Sequence, residues 1–414
     1  MGKPVQHKEK KVESRLLDKV LDPNGESLNL MALNFGPSHN ATHGCLRYLT
    51  ALDGETIVAS VGEIGYLHRG FEKMAEQGTW QMVLPYTDRL NYCSAILNNI
   101  GYAKAVEKML GVEIPERAKV LRVITGELSR IFDHFVCVAA ACVDLGALTS
   151  FWYFFGSREE GLVLWEKLTG ARLTNSYTRI GGLYRDTYEG FEQDVVKLLK
   201  MCEDTLSEVH KLLDGNRIFL DRTIDIGAIS PERALAWGWT GPCLRATGAA
   251  FDLRKDEPYY DYETYDWEVV TGTKGDVYDR LMVRLVESEE SIKIIRQALK
   301  RLEPGPVNIN DPKIRVPERE KVYQDMESLI GNFKTVSEGI RVPAGEFYDS
   351  SEAANGELGF TLISNGTGKP WRVKVRPPCL TQFAAFHELV EGGMIADSIA
   401  VLSSINIIAG ELDR

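Results

Sequence analysis

The apolar residues of this chain recur mostly at the spacing of amphipathic helices. The clearest example runs from Asp276 to Leu302, and another begins at Pro115 and continues past His134 towards Asp144. Because such helices bury one face against each other, the pattern predicts a central helical bundle. Further helices are predicted over residues 63–77, 89–110, 149–168 and 188–213 and from Ser230-Pro231 onward.

Strand patterns lie towards the two ends of the chain. Residues 28–35 predict one strand, and two more flank Asp53-Gly54, a pair typical of a tight hairpin turn. Near the other end, GELGFTLI and WRVKVRP flank residues 364–369 and predict a long hairpin. The expected fold class is therefore mainly α with small β-sheets at both ends (α+β), built around a central helical bundle.

These changes of pattern suggest how the chain is organised. We expect an N-terminal extension over 1–27, a small α/β region with a histidine loop over 28–80, the helical bundle over 81–338, and a β-hairpin and C-terminal helical region over 339–414. The terminal GELDR fits either a solvated tail or, because the apolar run IAVLSSINIIA precedes it, an end packed inside the protein.

Charge and cysteine content exclude several classes of protein. A net charge of −11 without a basic stripe argues against a nucleic-acid partner. The seven cysteines form no CxxC pair, which argues against a disulfide framework or a thiolate metal site and fits a reduced, cytoplasmic compartment. The longest apolar region, 135–156, is interrupted by Asp144, so we expect membrane contact only through partner subunits.

The stretch GPSHNATHGCLR, residues 36–47, holds the chain's most unusual pattern. Its glycines and proline disfavour a helix, so we expect a loop between two strands that carries His39 and His43. The residues alone leave three interpretations open. The pair could contribute to a metal site, although no HExxH motif or third ligand lies nearby; it could be structural; or its imidazoles could exchange protons with a bound ligand.

Two further stretches place polar groups close together. Arg69 and Glu72 are three residues apart on the helix predicted over 63–77, and Arg89 and Tyr92 are three apart at the start of the next predicted helix. For Arg69 the simplest interpretation is a surface ion pair with Glu72, which would contribute little to stability.

Many ordered stretches from about Asn34 to the C-terminus resemble one family. They include NFGPSHNATHGCLR, GYLHRGFEKMAE, LPYTDRLNY, GELSRIFDHF, DLGALTSFWYF and GELDR. On these motifs the chain resembles the D-type, quinone-site subunit of respiratory complex I, the NADH:quinone oxidoreductase, and it is also similar to the large subunit of nickel-iron hydrogenases. The hydrogenases hold their metal with two CxxC pairs that are absent here, so the resemblance implies a hydrogenase-like fold without a metal bound by this chain.

The resemblance also implies roles for individual residues. His43 and Tyr92 fall on the family's quinone-binding histidine and tyrosine, and Asp144 falls on the aspartate that partners the histidine. Arg69 and Arg89 fall on arginines near the terminal iron-sulfur cluster, which a partner subunit carries. A phenol and an imidazole suit this chemistry, because quinone oxygens become more basic as electrons arrive and need proton donors beside them.

The implied setting is the peripheral arm of a bacterial-type, proton-translocating complex I on the cytoplasmic side of the inner membrane. The expected partners are the cluster-bearing B-type subunit and the C-, I- and H-type subunits, with quinone as substrate and NADH as the electron donor. The alternative is a hydrogenase-fold scaffold in a related complex that uses another donor, such as ferredoxin.

Two departures from the family pattern affect these expectations. The family's GPQHPAAHG reads GPSHNATHG here, which removes a rigid proline and adds polar groups, so loop flexibility or quinone type could differ. Many members carry a histidine near the cluster where this chain has Thr174. If that histidine couples the cluster's potential to pH, this chain is expected to lack that coupling.

Overall fold

The computed structural model describes residues 30–414. The predicted N-terminal extension over 1–27, and the first two residues of the strand predicted over 28–35, lie outside this range. The rest of that strand forms β1 (Met31–Phe35), which ends where the histidine loop begins, as the sequence predicts.

Helices make up most of the described structure. Four of them are long: α3 (Ala95–Leu110), α4 (Glu116–Asp144), α5 (Leu148–Thr169) and α6 (Phe191–Leu213), and α11 (Val277–Lys300) is a fifth of similar length. The shorter helices are α1 (Phe71–Gln77), α2 (Leu84–Thr87), α7 (Arg217–Asp221), α8 (Pro231–Ala236), α9 (Gly241–Arg245), α10 (Leu253–Asp256), α12 (Arg319–Gln324), α13 (Met326–Ser337), α14 (Pro378–Ala384), α15 (Phe386–Val390), α16 (Ile395–Ile405) and α17 (Ala409–Asp413).

Three antiparallel sheets accompany the helices. The first joins β1 to the hairpin β2 (Arg47–Asp53) and β3 (Thr56–Glu63), with Gly54 in the left-handed conformation that its tight turn requires. The second is a minimal pair, β4 (Thr178–Arg179) and β5 (Gly182–Leu183). The third contains β6 (Gly345–Ala353), β7 (Gly356–Ser364) and β8 (Arg372–Arg376) in that order. The predicted β7–β8 hairpin is confirmed, and β6 extends it.

Helix α4 is the axis of the bundle. It is 29 residues long, is buried along most of its length, and packs against α3, α5, α11 and α16. A helix buried on all sides must satisfy every polar side chain that it carries inside the protein. Helix α4 carries several, and they form an ion network at the centre of the bundle.

This network joins three guanidinium groups to four carboxylates, all almost completely buried. Arg245 lies 2.6 Å from Glu287 and 2.8 Å from Glu352, and His134 Nε2 lies 3.0 Å from the other oxygen of Glu287. Burial alone would raise the pKa of Glu127, but the neighbouring arginines lower it to about 2. The full set comprises Arg130, Arg245 and Arg254 with Glu127, Asp252, Glu287 and Glu352.

This network contains one more carboxylate than it has arginine side chains. Burial lowers the pKa of His134, and the hydrogen bond with Glu287 opposes this shift. Burial and the neighbouring Asp252 raise the pKa of Glu352, while Arg245, Arg130 and Arg254 lower it. The network ties α4, α9, α10, α11 and β6 together.

Two predicted helix boundaries were wrong. Glu63 ends β3, and the helix predicted over 63–77 begins only at Phe71, because Gly65 and Gly70 adopt positive φ. The helix predicted from Arg89 begins at Ala95, after a separate 3-10 turn over Tyr92–Ser94. Arg69 and Arg89 therefore lie in irregular segments outside these helices. The fold class itself, mainly helical with small sheets towards both ends of the chain, is confirmed.

Packing between α4 and α5 depends on a glycine. A Cβ built on Gly161 of α5 would lie 2.0 Å from the ring of Phe132 on α4, whereas one on Gly156 of the same helix would meet nothing within 4 Å. We expect Gly161→Ala to lower the free energy of unfolding by about 1–3 kcal/mol through overpacking. Gly156→Ala is the matched control and is expected to raise it by roughly 0.5–1 kcal/mol.

Thermal or urea unfolding, followed by tryptophan fluorescence, measures both changes. Equal effects of the two substitutions would show that the contact with Phe132 does not limit the packing of α5 on α4.

Candidate functional site

The histidine loop is held by its own backbone and by a buried hydroxyl. Thr42 is fully buried, and its Oγ1 lies 2.7 Å from the His39 carbonyl and 2.9 Å from the Gly44 carbonyl. A Cβ on Gly36, which has φ +85°, would lie 1.9 Å from the Leu46 carbonyl, so the loop closes on itself only with glycine there. Thr42 is one of the departures from the family pattern, and here the added polar group closes the loop.

The two histidines of this loop have different surroundings. His39 caps the 3-10 turn Asn40–Thr42, and its Nδ1 accepts a hydrogen bond from the Ala41 amide at 3.2 Å. His43 adopts the left-handed conformation, and its Nε2 lies 2.5 Å from Asp144 Oδ2. The contacts of His39 thus fit the interpretation that this histidine is structural. His43, in contrast, is held by a carboxylate that is distant in sequence.

The last residue of α4 positions this carboxylate. Asp144 ends the helix, and the chain turns before α5 begins at Leu148. The side chains of His43 and Asp144 are 20% and 14% exposed, so the pair is sheltered yet still reachable. With Nε2 donating to Asp144, the second ring nitrogen, Nδ1, remains for a ligand.

Tyr92 lies in the 3-10 turn before α3. Its ring packs against the main core, and the part of the chain that the structure describes supplies no hydrogen-bond partner for its hydroxyl. Burial raises the pKa of Tyr92, and Cys93, Asp133, Cys379 and Cys45 add to the effect. The influence of Cys45 places the phenol near the histidine loop. The structure gives no direct contact between Tyr92 and His43.

Arg69 and Arg89 lie together at the surface. Arg69 donates from Nη2 to the Arg89 carbonyl at 2.5 Å, and Arg89 donates to the Pro85 carbonyl at 2.5 Å. The alternative of an ion pair between Arg69 and Glu72 does not form: Glu72 instead accepts from the Val375 amide and lies 3.9 Å from the Arg414 guanidinium. Both Arg69 and Arg89 are exposed, so they present positive charge to the outside.

The C-terminal helix α17 is the element whose role the sequence did not reveal. Its Gly410 is packed so closely that a Cβ would lie 2.6 Å from the Arg89 carbonyl, and Gly44 of the histidine loop meets Ala409. Asp413 accepts hydrogen bonds from the amides of Gly65 and Leu67. The tail is thus packed inside, between the histidine loop and the arginine segment, in agreement with the second of the two predicted alternatives.

A buried polar cluster beneath α17 was also missed. Glu411 contacts Cys379, and Asp133 accepts from the side-chain amides of Asn91 and Asn406 at 2.5 and 2.7 Å. The available signals were the glutamate of GELDR and the aspartate of FDHF. Neither has a helical or strand periodicity that would assign it to a site, because the cluster is assembled from segments far apart in sequence.

Residues 30–414 contain neither a group of metal-ligating side chains nor a membrane-spanning helix. No three His, Cys, Asp or Glu side chains among residues 30–414 are grouped so that they could hold a metal ion. Over these residues, no helix has the length and apolarity needed to span a bilayer. All seven cysteines are free thiols.

Residues 144–414 match the family model described as the respiratory-chain NADH dehydrogenase, 49 kDa subunit. The chain belongs to this family. The family resemblance and the hydrogenase large-subunit-like fold predicted from the motifs are thereby confirmed. As a member of a respiratory-chain oxidoreductase subunit family, the chain is one component of a larger complex.

Alignments with individual relatives extend over almost the whole chain. It is 52% identical over 392 residues to the C/D-type subunit of the NADH-quinone oxidoreductase of Bdellovibrio bacteriovorus, an alignment spanning 94% of this chain and 70% of the relative. It is 49% identical to the D-type subunit of the Pelobacter propionicus enzyme, over 96% of this chain and 98% of the relative. With the D-type subunit of the Geobacter sulfurreducens enzyme the identity is 47%, over 94% and 100%.

Because Asp144 is the only hydrogen-bond partner that the described structure gives the His43 ring, Asp144→Ala should release it. We expect several-fold faster modification of His43 by diethylpyrocarbonate, measured by mass spectrometry, while His39 keeps its rate because its Nδ1 binds the loop backbone. Asp53→Ala, at the exposed turn of the adjoining hairpin, is the control. Unchanged labelling of His43 in Asp144→Ala would mean that the loop, and not the carboxylate, holds the imidazole.

Proposed function

We propose that the chain forms one wall of the quinone-reduction site of an NADH-quinone oxidoreductase. The observation that carries this proposal is the His43–Asp144 pair at 2.5 Å, which a chain of this family forms by joining a loop near one end to the end of its central helix. The relatives' names refer to NADH and quinone, which supports the same reaction here. Quinone is the substrate, and NADH is the original electron source.

The pair is suited to giving a proton to a quinone oxygen. Asp144 accepts from Nε2–H, so the neutral ring would offer only an acceptor at Nδ1. In the protonated imidazolium, Nδ1–H becomes a donor while Asp144 balances the added charge. His43 can therefore donate a hydrogen bond to one quinone oxygen and pass its proton there as electrons arrive.

Tyr92 is proposed to serve the other quinone oxygen. Burial raises the pKa of its phenol, which keeps the hydroxyl protonated at neutral pH as a donor. Full reduction of a quinone takes up two electrons and two protons, one proton at each oxygen. His43 and Tyr92 would supply one proton each, and both would then be reprotonated from solvent-connected groups.

Arg69 and Arg89 are proposed to face an iron-sulfur cluster held by a partner subunit, which would supply the electrons. The fit rests on charge: two neighbouring exposed guanidinium groups form a positive surface that suits an anionic cluster. Ser176 donates to Asp88, which precedes Arg89, so the segment after Thr174 supports the same surface. No metal ligand from this chain is needed.

We further propose that the B-, C-, I- and H-type subunits surround this chain, with the B-type subunit holding the cluster and the H-type subunit providing the membrane contact. The fused C/D name of the Bdellovibrio bacteriovorus relative supports a C-type neighbour, because two domains of one chain are tethered near each other. The proposed location is the peripheral arm on the cytoplasmic side of the bacterial inner membrane.

Tyr92→Phe tests the proposed donor in assembled complex. We expect NADH-to-quinone turnover to fall at least about tenfold, because one proton donor is lost, while NADH-to-ferricyanide turnover is unchanged. Tyr102→Phe is the matched control: its hydroxyl is buried and bonds the Trp80 carbonyl, so its loss removes only a structural hydrogen bond.

If Tyr92→Phe and Tyr102→Phe lowered both activities equally, Tyr92 would be structural. If NADH supported no turnover in the wild-type complex but reduced ferredoxin did, the scaffold alternative with another electron donor would replace this proposal.

The arginine surface has its own test. Arg89→Gln should lower the midpoint potential of the partner's terminal cluster by on the order of tens of millivolts, because a positive charge beside an anionic centre favours its reduced form. Arg89→Lys keeps the charge and should keep the potential. A redox titration followed by electron paramagnetic resonance gives both values, and an unchanged potential in Arg89→Gln would place the cluster elsewhere.

A further inference from the structure

A second titratable centre lies behind the proposed quinone site. Glu411 is 2% exposed, and among residues 30–414 no arginine, lysine or histidine lies within ion-pair distance of it. Its carboxylate is contacted by Cys379, whose Sγ lies 3.3 Å from Oε2 and whose amide lies 3.4 Å from Oε1, and the side-chain amide of Asn355 also acts on it. A buried carboxyl without a cation favours its neutral, protonated form.

Asp133 is the second carboxyl of this centre. It is fully buried on α4, and each of its oxygens accepts one side-chain amide, from Asn91 and from Asn406. Both oxygens of Asp133 are therefore hydrogen-bonded within the cluster. Asn406 also bonds Asn355 at 2.6 Å, and Asn355 donates to the Cys379 thiol at 3.3 Å, so one hydrogen-bonded cluster joins Asp133 to Glu411.

Glu411 is the carboxyl of this cluster whose charge changes near neutral pH. Burial raises the pKa of Glu411 to about 7, and nearby Asp133 contributes in the same direction. Two negative charges so close together in a buried site without a cation would be costly, so the site keeps one proton, on Glu411.

The cluster is adjacent to both proposed proton donors. Asn91, which bonds Asp133, directly precedes Tyr92, and Asp133 and Cys379 both act on the phenol electrostatically. Glu411 sits on α17, whose Ala409 meets Gly44, the residue after His43. The titratable groups that act on Glu411 are Cys379 on α14 and Asp133 on α4. Arg69 lies against the preceding Gly410, and Asp413 and Arg414 follow on the same segment. Cys379 and Asp133 also act on Tyr92, together with Cys93 and Cys45.

We propose that Glu411 is a positioning residue for quinone reduction, whose buried carboxyl holds a proton behind Tyr92 and whose charge sets how readily the phenol releases its own proton. This inference rests on the proposed function of Tyr92. While Glu411 is neutral, it adds no negative charge behind the phenol, and a phenolate can form when the proton passes to the quinone oxygen. Once Glu411 ionises, its added negative charge opposes the phenolate.

The pH dependence follows with a definite sign. Glu411 loses its proton as the pH rises through about 7, so NADH-to-quinone turnover should fall with rising pH. Titration of one such group changes its protonated fraction about tenfold between pH 6 and pH 8. NADH-to-ferricyanide turnover, which does not use the site, should lack this decline.

Glu411→Gln tests the proposal in assembled complex, because the amide has nearly the same shape but is always neutral. We expect its quinone turnover to lose the decline between pH 6 and pH 8. Cys379→Ala removes the thiol donor that favours ionised Glu411, so its decline should move to higher pH, and Cys379→Ser should restore the wild-type profile. Equal loss of turnover at every pH in Glu411→Gln would show a structural role and overturn the proposal.

A second measurement does not depend on turnover. The infrared spectrum of wild-type complex at pH 6 should contain the carbonyl band of a buried protonated carboxyl that weakens by pH 8 and is missing in Glu411→Gln. Absence of this band in the wild type would overturn the proton-holding role. A different outcome is that the band is present but Tyr92→Phe has no effect on quinone turnover. That result would refute the proposed function of Tyr92 and leave the buried protonated acid as a feature of the fold alone.

Discussion

The ion network at the centre of the bundle is the constraint on which the structure depends. Arg245 alone bridges Glu287 on α11, Glu352 on β6 and Asp252 beside α10. Removing one member would leave an uncompensated buried charge, which typically costs about 3–5 kcal/mol. The elements that share these charges cannot shift independently, so they hold the middle of α4 in place.

A fixed α4 explains how one helix serves three purposes. Its middle carries the network residues Glu127 and Arg130, the next turn carries Asp133 in the cluster under α17, and its last residue, Asp144, meets His43. The spacing between the core network and the site is therefore set by helix geometry, at about 1.5 Å per residue. Movement of α4 would disturb both carboxylates of the site together.

Segments from both ends of the described chain surround the site. The histidine loop follows β1, and α17 closes over it from the C-terminus, with Gly44 against Ala409 and Gly410 against Arg89. The altered loop GPSHNATHG keeps this arrangement, since the hydroxyl of Thr42 bridges the carbonyls on both sides of its turn.

The sequence by itself determined the long helices, the terminal sheets and the candidate site residues His43, Tyr92 and Asp144, because periodicity, turn signals and ordered motifs are local properties of the chain. It placed the starts of two helices wrongly, since glycines with positive φ and a 3-10 turn interrupt segments whose composition alone permits a helix. Only the tertiary structure decided that Glu72 pairs with Arg414 and not with Arg69, that His39 caps its own turn, and that Asp133, Cys379 and Glu411 share one buried cluster. Most of these contacts join residues tens to hundreds of positions apart, and whether a carboxyl is charged depends on the groups and the solvent that folding places around it.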